Sequence, residues 1–350
     1  DIEARKQGKT LKLSGETNLP EAKTALLQHL ADNQIEIIDE IEVLPAADLN
    51  GKHYGVVRLS ACNIRSKPGN SEELATQSIL GTTLKVYKKV EDWYLVQTPD
   101  HYLGWLDDDG FAPMDEAELR AWEALDKAVY LPDFGFSYAG IEEGAPRVSD
   151  LLAGNILGME SVEGDYAKVV YPDGRKAYVP ANELMDWEDW LLTREASAEN
   201  ILSTAMDFMG RPYLWGGTSG KGVDCSGFTK TVFYLNGVLL ARDASQQVHT
   251  GIEVPTDTTW ANLLPGDLLF FGTPATDVKK ERITHVAIYM GEGKIIHSAG
   301  IVKIESLKRS DPDFAEHRFN TFIRAKRMLN SIGENGVGLI AASPFYNSLN

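Results

Sequence analysis

Apolar positions at the start of the chain change period. Leu26, Leu27 and Leu30 fall on one face of a helix that Pro20 can open, and Ile35 and Ile37, then Ile41 and Val43, alternate with polar residues as in a strand. From Val56 to about Pro113, short alternating runs are broken by Lys67-Pro68-Gly69-Asn70, Glu91-Asp92 and Pro99-Asp100, which predicts a small antiparallel barrel or sandwich. Asp115 with Glu118 has capping-box spacing. Leu119, Trp122 and Leu125 carry the predicted connecting helix up to Val129, so that it ends before Pro132.

An ungapped repeat runs through this region at an offset of 73 residues. Gly81, Leu84, Asp92, Trp93, Val96, Pro99, Asp100, Trp105 and Leu106 align with Gly154, Leu157, Asp165, Tyr166, Val169, Pro172, Asp173, Tyr178 and Val179. Two copies cannot build a solenoid, which needs at least about three, so two tandem β modules are expected. They resemble bacterial SH3-like domains of cell-wall proteins, the first strongly through Asn63-Ile64-Arg65-Ser66-Lys67-Pro68 and Gly104-Trp105, the second weakly. Beyond them helix and strand alternate. Ser197 caps a helix with Ile201, Ala205 and Phe208 on one face, and a second helix begins near Cys225 with Phe228, Val232 and Leu235 inward and Gly237 as its stop. Leu268–Phe271, Thr284–Met290 and Lys294–Ser298 read as strands, in α+β order.

With 350 residues, 43% hydrophobic and 24% charged, the composition is that of a globular protein of two or three domains. The formal net charge of −17 is confined to one half: residues 1–196 hold 36 acidic and 19 basic side chains, residues 197–350 hold 15 of each. An acidic chain lacks the basic face that a nucleic-acid or anionic-lipid surface requires, so neither is an expected partner. No apolar run approaches the roughly 18 residues of a membrane span. The chain opens at Asp1 rather than Met, which fits removal of a leader or trimming. The expected location is the cell envelope, periplasmic or secreted, with the cytoplasm left open. Oligomeric state is not legible. The expected organisation is 1–50 a helix/strand segment, 51–114 the first β module, 115–132 a connecting helix, 133–192 the second module, 193–330 the catalytic domain and 331–350 a C-terminal extension.

Two cysteines exclude a disulfide scaffold and four-thiolate metal sites. Cys62 alternates with Ser60 and Ile64 inside a β module and reads as core. Cys225 differs: a glycine-rich approach, Trp215-Gly216-Gly217 and Gly222-Val223-Asp224, leads into it at the start of an amphipathic helix. The positive end of the helix dipole and free backbone N–H groups there favour a thiolate nucleophile and can receive an oxyanion. A base is available in His285, which opens the strand Val286–Met290, with His297 on the returning strand after Gly291-Glu292-Gly293. A three-residue loop sets Met290 opposite Lys294 and His297 opposite Ala287, with His285 the diagonal neighbour of His297. A two-residue turn sends the histidines to opposite faces, so an odd-numbered loop or a bulge is predicted. Cys225 then attacks, His285 takes and returns the proton, and His297 holds the ring of His285 in its working tautomer. Zinc is disfavoured because no carboxylate sits at ligand spacing, and neither metal nor cofactor is expected.

Residues 197–328 resemble the NlpC/p60 cysteine peptidases. The resemblance rests on Arg211-Pro212-Tyr213 with Trp215-Gly216-Gly217, Asp224-Cys225-Ser226-Gly227-Phe228, Leu264-Pro265-Gly266-Asp267-Leu268 with Phe270-Phe271, His285-Val286-Ala287-Ile288-Tyr289 and Ile296-His297-Ser298. It implies a papain-like α+β catalytic domain preceded by two small SH3-like β-barrels and a short N-terminal helical segment. It also implies the Cys-His-His set, a phenol at Tyr213 near the oxyanion, and Asp224, Ser226 and Trp215 lining the substrate cleft. Paired N-terminal modules look like those of the γ-D-glutamyl-L-diamino acid endopeptidases of peptidoglycan peptide recycling, which release L-Ala-γ-D-Glu from peptides with a free N-terminal L-Ala. That likeness implies Glu73 and Tyr102 as an ammonium clamp and a further substrate loop at Arg242-Asp243-Ala244-Ser245, with Asp243 and Ser245 in contact and Ala244 where relatives carry Ser. The partners so implied are peptidoglycan-derived peptides, with Lys and diaminopimelate not distinguished. Two other readings stand beside it: a broader D,L-endopeptidase on intact wall, with an open cleft, and a non-catalytic wall-binding adaptor, against which the Cys225, His285, His297 set argues.

Overall fold

The computed structural model describes residues 2–257 and 259–346. Asp1 and the end of the expected C-terminal extension, 347–350, lie outside the described residues. The N-terminal unit is a three-stranded sheet. Ile2–Gln7 and Thr10–Thr17 form an antiparallel hairpin, and Ile37–Val43 returns parallel to Thr10–Thr17 across the helix Pro20–Asp32. Leu13, Leu30 and Ile41 are its buried centre, with Leu26, Leu27 and Ile37 packed against them. The helix and last strand match the apolar pattern. The hairpin does not, because all six side chains of Ile2–Gln7 are exposed and leave no alternation to read.

The repeat is realised strand by strand. The first module consists of Tyr54–Val57, Ala61–Arg65, Leu74–Ile79, Thr83–Val90, Trp93–Gln97, Leu103–Asp107 and Phe111–Met114. The second consists of Lys127–Tyr130, Phe134–Tyr138, Arg147–Leu152, Ile156–Glu163, Tyr166–Val170, Lys176–Pro180 and Leu184–Asp186. Each strand of the second begins 73 residues after its counterpart, and both seven-stranded sheets are hydrogen-bonded in the same order. Even the register shifts recur, at Ile64/Arg65 and Val86/Lys88 in one copy and at Ser137/Tyr138 and Met159/Ser161 in the other. Such bulges add the local twist a small sheet needs to curl over its core. Cys62 lies in the first core, where burial pushes its thiol up to about 12.

The capping box at Asp115 forms: the Glu118 N–H donates to Asp115 Oδ1 at 3.0 Å, and the Asp115 N–H donates to Glu118 Oε2 at 2.8 Å. The helix it starts, however, is only Glu116–Glu123 and does not continue to Val129. Lys127–Tyr130 is instead the opening strand of the second module, paired with both Ile156–Gly158 and Leu184–Asp186. Val129 and Tyr130 gain full burial there, which outweighs a weak helical preference. The two modules are joined by main chain. Ile156 N–H donates to Leu80 O at 3.0 Å, and at Gly81, whose φ is +82°, a Cβ would lie 2.4 Å from Ile156 O.

The C-terminal part centres on a six-stranded antiparallel sheet in the order Ile252–Val254, Phe322–Arg327, Leu268–Thr273, Arg282–Gly291, Lys294–Ala299, Ile301–Ser306. Ser197 caps the helix Ala198–Asp207, its Oγ accepting from the Asn200 N–H at 3.2 Å. This helix and Cys225–Tyr234 cover the sheet through Phe208, Phe228, Val232, Phe233, Phe270, Val286 and Ile296. Among the described residues no helix is long and apolar enough to cross a membrane.

Candidate active site

Cys225 is the first residue of the helix Cys225–Tyr234, which Asp224 caps by accepting from the Gly227 N–H at 2.7 Å. The backbone N–H groups of Val286 and Ser226 point to the thiol. These contacts favour a thiolate as the sequence predicts, yet they lose to two opposing effects. Burial, and after it the charge of Asp224, pushes the thiol up to about 11. The resting group is therefore a thiol, which can act as a nucleophile only once a base takes its proton.

A candidate base lies on a strand of the sheet. The hairpin Arg282–Gly291/Lys294–Ala299 closes with Gly291 opposite Lys294 and a register shift between Tyr289 and Gly291. The loop is the two residues Glu292-Gly293 rather than the expected three, with Gly291 rather than Met290 against Lys294, and the predicted bulge supplies the extra residue that keeps the two histidines on one face. His285 and His297 consequently share a face, with Nε2 of His285 2.8 Å from Nδ1 of His297. Burial holds His285 well below the ordinary 6.5, helped by the charges of Arg318, His297, His317 and Lys303, so its ring rests neutral and able to accept a proton. With Nε2 engaged by His297, Nδ1 is the ring nitrogen left for the thiol. Behind His297, Nε2 is 2.8 Å from Glu305 Oε2.

Asp224 is fully engaged. Its oxygens accept from Gly216 N–H (3.0 Å), Gly227 N–H (2.7 Å), Ser226 Oγ (3.3 Å) and both terminal nitrogens of Arg242 (2.6 and 3.3 Å). Arg242 is only 2% exposed and also donates to Ser226 Oγ at 3.1 Å and, from Nε, to Thr76 Oγ1 of the first module at 3.0 Å. The same seam holds Gln77, bonded to Thr218 and Ser219 through four hydrogen bonds of 2.9–3.2 Å. Asp224 lines the cleft, but as the group that fixes the cysteine turn and not as an oxygen free for a ligand.

A cavity of about 450 Å³ opens at Cys225 and brings Tyr213, Trp215, Asp224, Ser226, Asp243 and Ser245 together with Glu73 and Tyr102 of the first module. His285 and His297 stand behind it, in the sheet. Burial and the neighbouring Cys225 push the Tyr213 phenol up to about 12, so it keeps its proton and can donate to a developing oxyanion. Trp215 Nε1 donates to Glu73 Oε1 at 2.7 Å. Tyr102 bonds Asp243 across the seam, and burial foremost, then this carboxylate, pushes Tyr102 up to about 12. Ala244 also borders the cavity. Gly216 has φ +78°, and a Cβ there would lie 2.2 Å from Leu74 O, so the close approach of module and cleft needs glycine.

Arg242, Glu305 and Arg318 are charged residues at the site that sequence reasoning does not assign. Arg242 was read only as part of a loop, because its partners are 18 and 166 residues away. Glu305 sits on the strand Ile301–Ser306, whose alternation after Ser298 was the available signal. Arg318, on the short helix Glu316–Thr321, lies 5.9 Å from the Phe271 ring centre, and that ring lies 5.9 Å from the ring of His285. Nothing local announces it.

Residues 210–320 match the NlpC/P60 family, and residues 64–111 match the bacterial dipeptidyl-peptidase Sh3 domain. The gamma-D-glutamyl-L-lysine dipeptidyl-peptidase of Bacillus cereus is 29% identical over 256 residues, covering 71% of this chain and 74% of that protein. Dipeptidyl-peptidase 6 of Lysinibacillus sphaericus is 26% identical over 272 residues, covering 73% and 93%. Among solved structures, an NlpC/P60 family protein from Bacillus cereus superposes with a TM-score of 0.65 at 24% identity, covering 79% of this chain and 99% of that one, a likeness of fold. The Cys225 cleft thus lies in an NlpC/P60 domain, and a bacterial SH3 domain stands in front of it in the chain.

Proposed function

We propose that the protein is a peptidoglycan-directed hydrolase that cleaves the γ-D-Glu to L-diamino acid bond of stem peptides with a free N-terminal L-Ala, releasing L-Ala-γ-D-Glu. The observation that carries this reading is that Glu73 and Tyr102 of the first module line the same cavity as Cys225. An acyl portion bound at the thiol shares that cavity with the Glu73 carboxylate, a group suited to an ammonium. The dipeptidyl-peptidase relatives named above support the same reading. Such peptides derive from the cell wall, so the envelope is the expected site of action.

In this reaction the Cys225 proton passes to Nδ1 of His285 as Sγ attacks the γ-carbonyl carbon of D-Glu. The oxyanion forms against the Tyr213 hydroxyl and backbone N–H groups at the helix start. Collapse breaks the C–N bond, and His285 returns its proton to the departing amine. Water, deprotonated by His285, then cleaves the thioester and regenerates the thiol. A peptide L-Ala-γ-D-Glu-L-Lys and its N-acetyl form provide the test. The free peptide should yield L-Ala-γ-D-Glu, and the acetylated one should react about 10- to 100-fold more slowly, the loss of one charged hydrogen bond. Equal rates would refute the closed-cleft reading, and hydrolysis by Cys225→Ala would refute the nucleophile.

A further inference from the structure

Behind the two histidines stands a carboxylate that the reaction as written does not use. Extending the register of Lys294–Ala299 against Ile301–Ser306, His297 pairs with Lys303 and Ile295 with Glu305, so Glu305 is a diagonal neighbour of His297 on the same face. Its Oε2 is 2.8 Å from Nε2 of His297, and its Oε1 takes the Lys303 ammonium at 2.7 Å. His297 is fully buried, and its Nε2 makes no well-aligned hydrogen bond among the described residues. Glu305 is thus the charge set against an otherwise unsatisfied buried ring nitrogen.

We propose that Glu305 is a positioning residue that selects the working tautomers of His297 and His285. The inference rests on the hydrolysis proposed above. Two arrangements of the 2.8 Å contact between the rings are available. In one, His285 Nε2–H donates to His297 Nδ1, which puts the His297 proton on Nε2, facing Glu305, and leaves His285 Nδ1 bare for the thiol proton. In the other, His297 Nδ1–H donates, the His285 proton moves to Nδ1, and that nitrogen cannot act as base. In the second arrangement the bare Nε2 of His297 also faces a carboxylate, lone pair against negative charge. Glu305 therefore disfavours the idle arrangement, and it attracts the imidazolium that forms on His285 during attack. The other charged or titratable groups facing the pair are Lys303 on the same strand and Arg318 and His317 on the helix Glu316–Thr321, and they oppose that imidazolium.

Glu305→Gln keeps the side-chain shape and removes the charge. Loss of the orienting carboxylate in a Ser-His-Asp site costs about 10⁴-fold. Here it acts through an intervening ring and is shared with Lys303, so kcat should fall about 10- to 100-fold with KM nearly unchanged. The acid limb of the rate profile should move to lower pH, because only cations then face the histidines. Glu305→Asp should restore part of the rate. Alkylation of Cys225 by iodoacetamide across pH reads the same base without any peptide: a shifted profile there supports Glu305 even if the peptide is not a substrate, while a parental protein that alkylates normally but leaves the peptide intact overturns the substrate reading alone. Should Glu305→Gln fail to fold, Lys303→Met frees Glu305 for His297 and should move the alkylation profile to higher pH. Unchanged kcat and alkylation profiles in Glu305→Gln, or an unmoved profile in Lys303→Met, overturn the proposal.

Discussion

Replacing Arg242 by Met removes a guanidinium that is almost wholly buried while keeping most of its volume. Asp224 then retains Gly216 N–H, Gly227 N–H and Ser226 Oγ but loses both charged contacts, at 2.6 and 3.3 Å. Removing one partner of a buried pair costs about 3–5 kcal/mol. The surviving donors place Arg242→Met near the lower end, about 3 kcal/mol, or a fall in Tm of about 6–12 °C for a cooperative unit of about 150–250 residues. Urea unfolding followed by tryptophan fluorescence measures the loss, provided the slope with denaturant is unchanged. The decisive comparison is the cycle with Asp224→Asn. If the cost comes from a stranded charge, the double variant should be less destabilised than the sum of the singles by about 2 kcal/mol or more. Additive losses, or a loss below about 1 kcal/mol for Arg242→Met, would refute the view that this pair holds the cysteine turn against the first module.

Gly216→Ala should drive Leu74 and the module wall away from the cleft, since its Cβ would lie 2.2 Å from the Leu74 carbonyl; steady-state kinetics should show KM rising about 10-fold, roughly 1.4 kcal/mol of binding, with kcat less affected. Arg318→Gln removes a charge that opposes imidazolium formation on His285, so His285 should hold its proton to higher pH and the acid limb of kcat/KM should move up. An unmoved limb would show that burial alone sets the ring. Both buried histidines, His285 and His297, sit below 6.5 in the folded state, so the unfolded chain binds protons first as pH falls. Stability should be intact above about pH 6.5 and decline below it. Urea midpoints at pH 7.5 and 5.5 should differ less in His285→Gln than in the parent.

The hairpin was legible because parity governs it: two histidines 12 residues apart share a face only if the connection carries an extra residue, and a bulge supplies one. The helix at Cys225 was legible through its glycines and apolar stripe. By contrast, the 73-residue repeat, followed to its first strand, would have assigned Lys127–Tyr130 to a sheet, but the helical stripe from Leu119 to Leu125 masked that copy. The protonation of Cys225 could not be read from sequence, because the dipole argument is local while burial and the Asp224 charge depend on the finished packing. Arg242, Glu305 and Arg318 share that limit, since each acts on residues brought near only by the sheet or by the first module.

The duplicated modules also bear on how such an enzyme can change. The positions equivalent to Glu73 and Tyr102 in the second copy are Pro146 and Arg175, so one twin faces the cleft with a carboxylate and a phenol while the other holds its sibling in place through Leu80, Gly81 and Ile156. Part of the cavity wall is thus encoded more than a hundred residues upstream of the cysteine, in a domain with its own core. Drift in that domain can reshape the cavity while Cys225, His285 and His297 remain untouched, so that under the proposed function the choice of substrate becomes an inherited property of the neighbour.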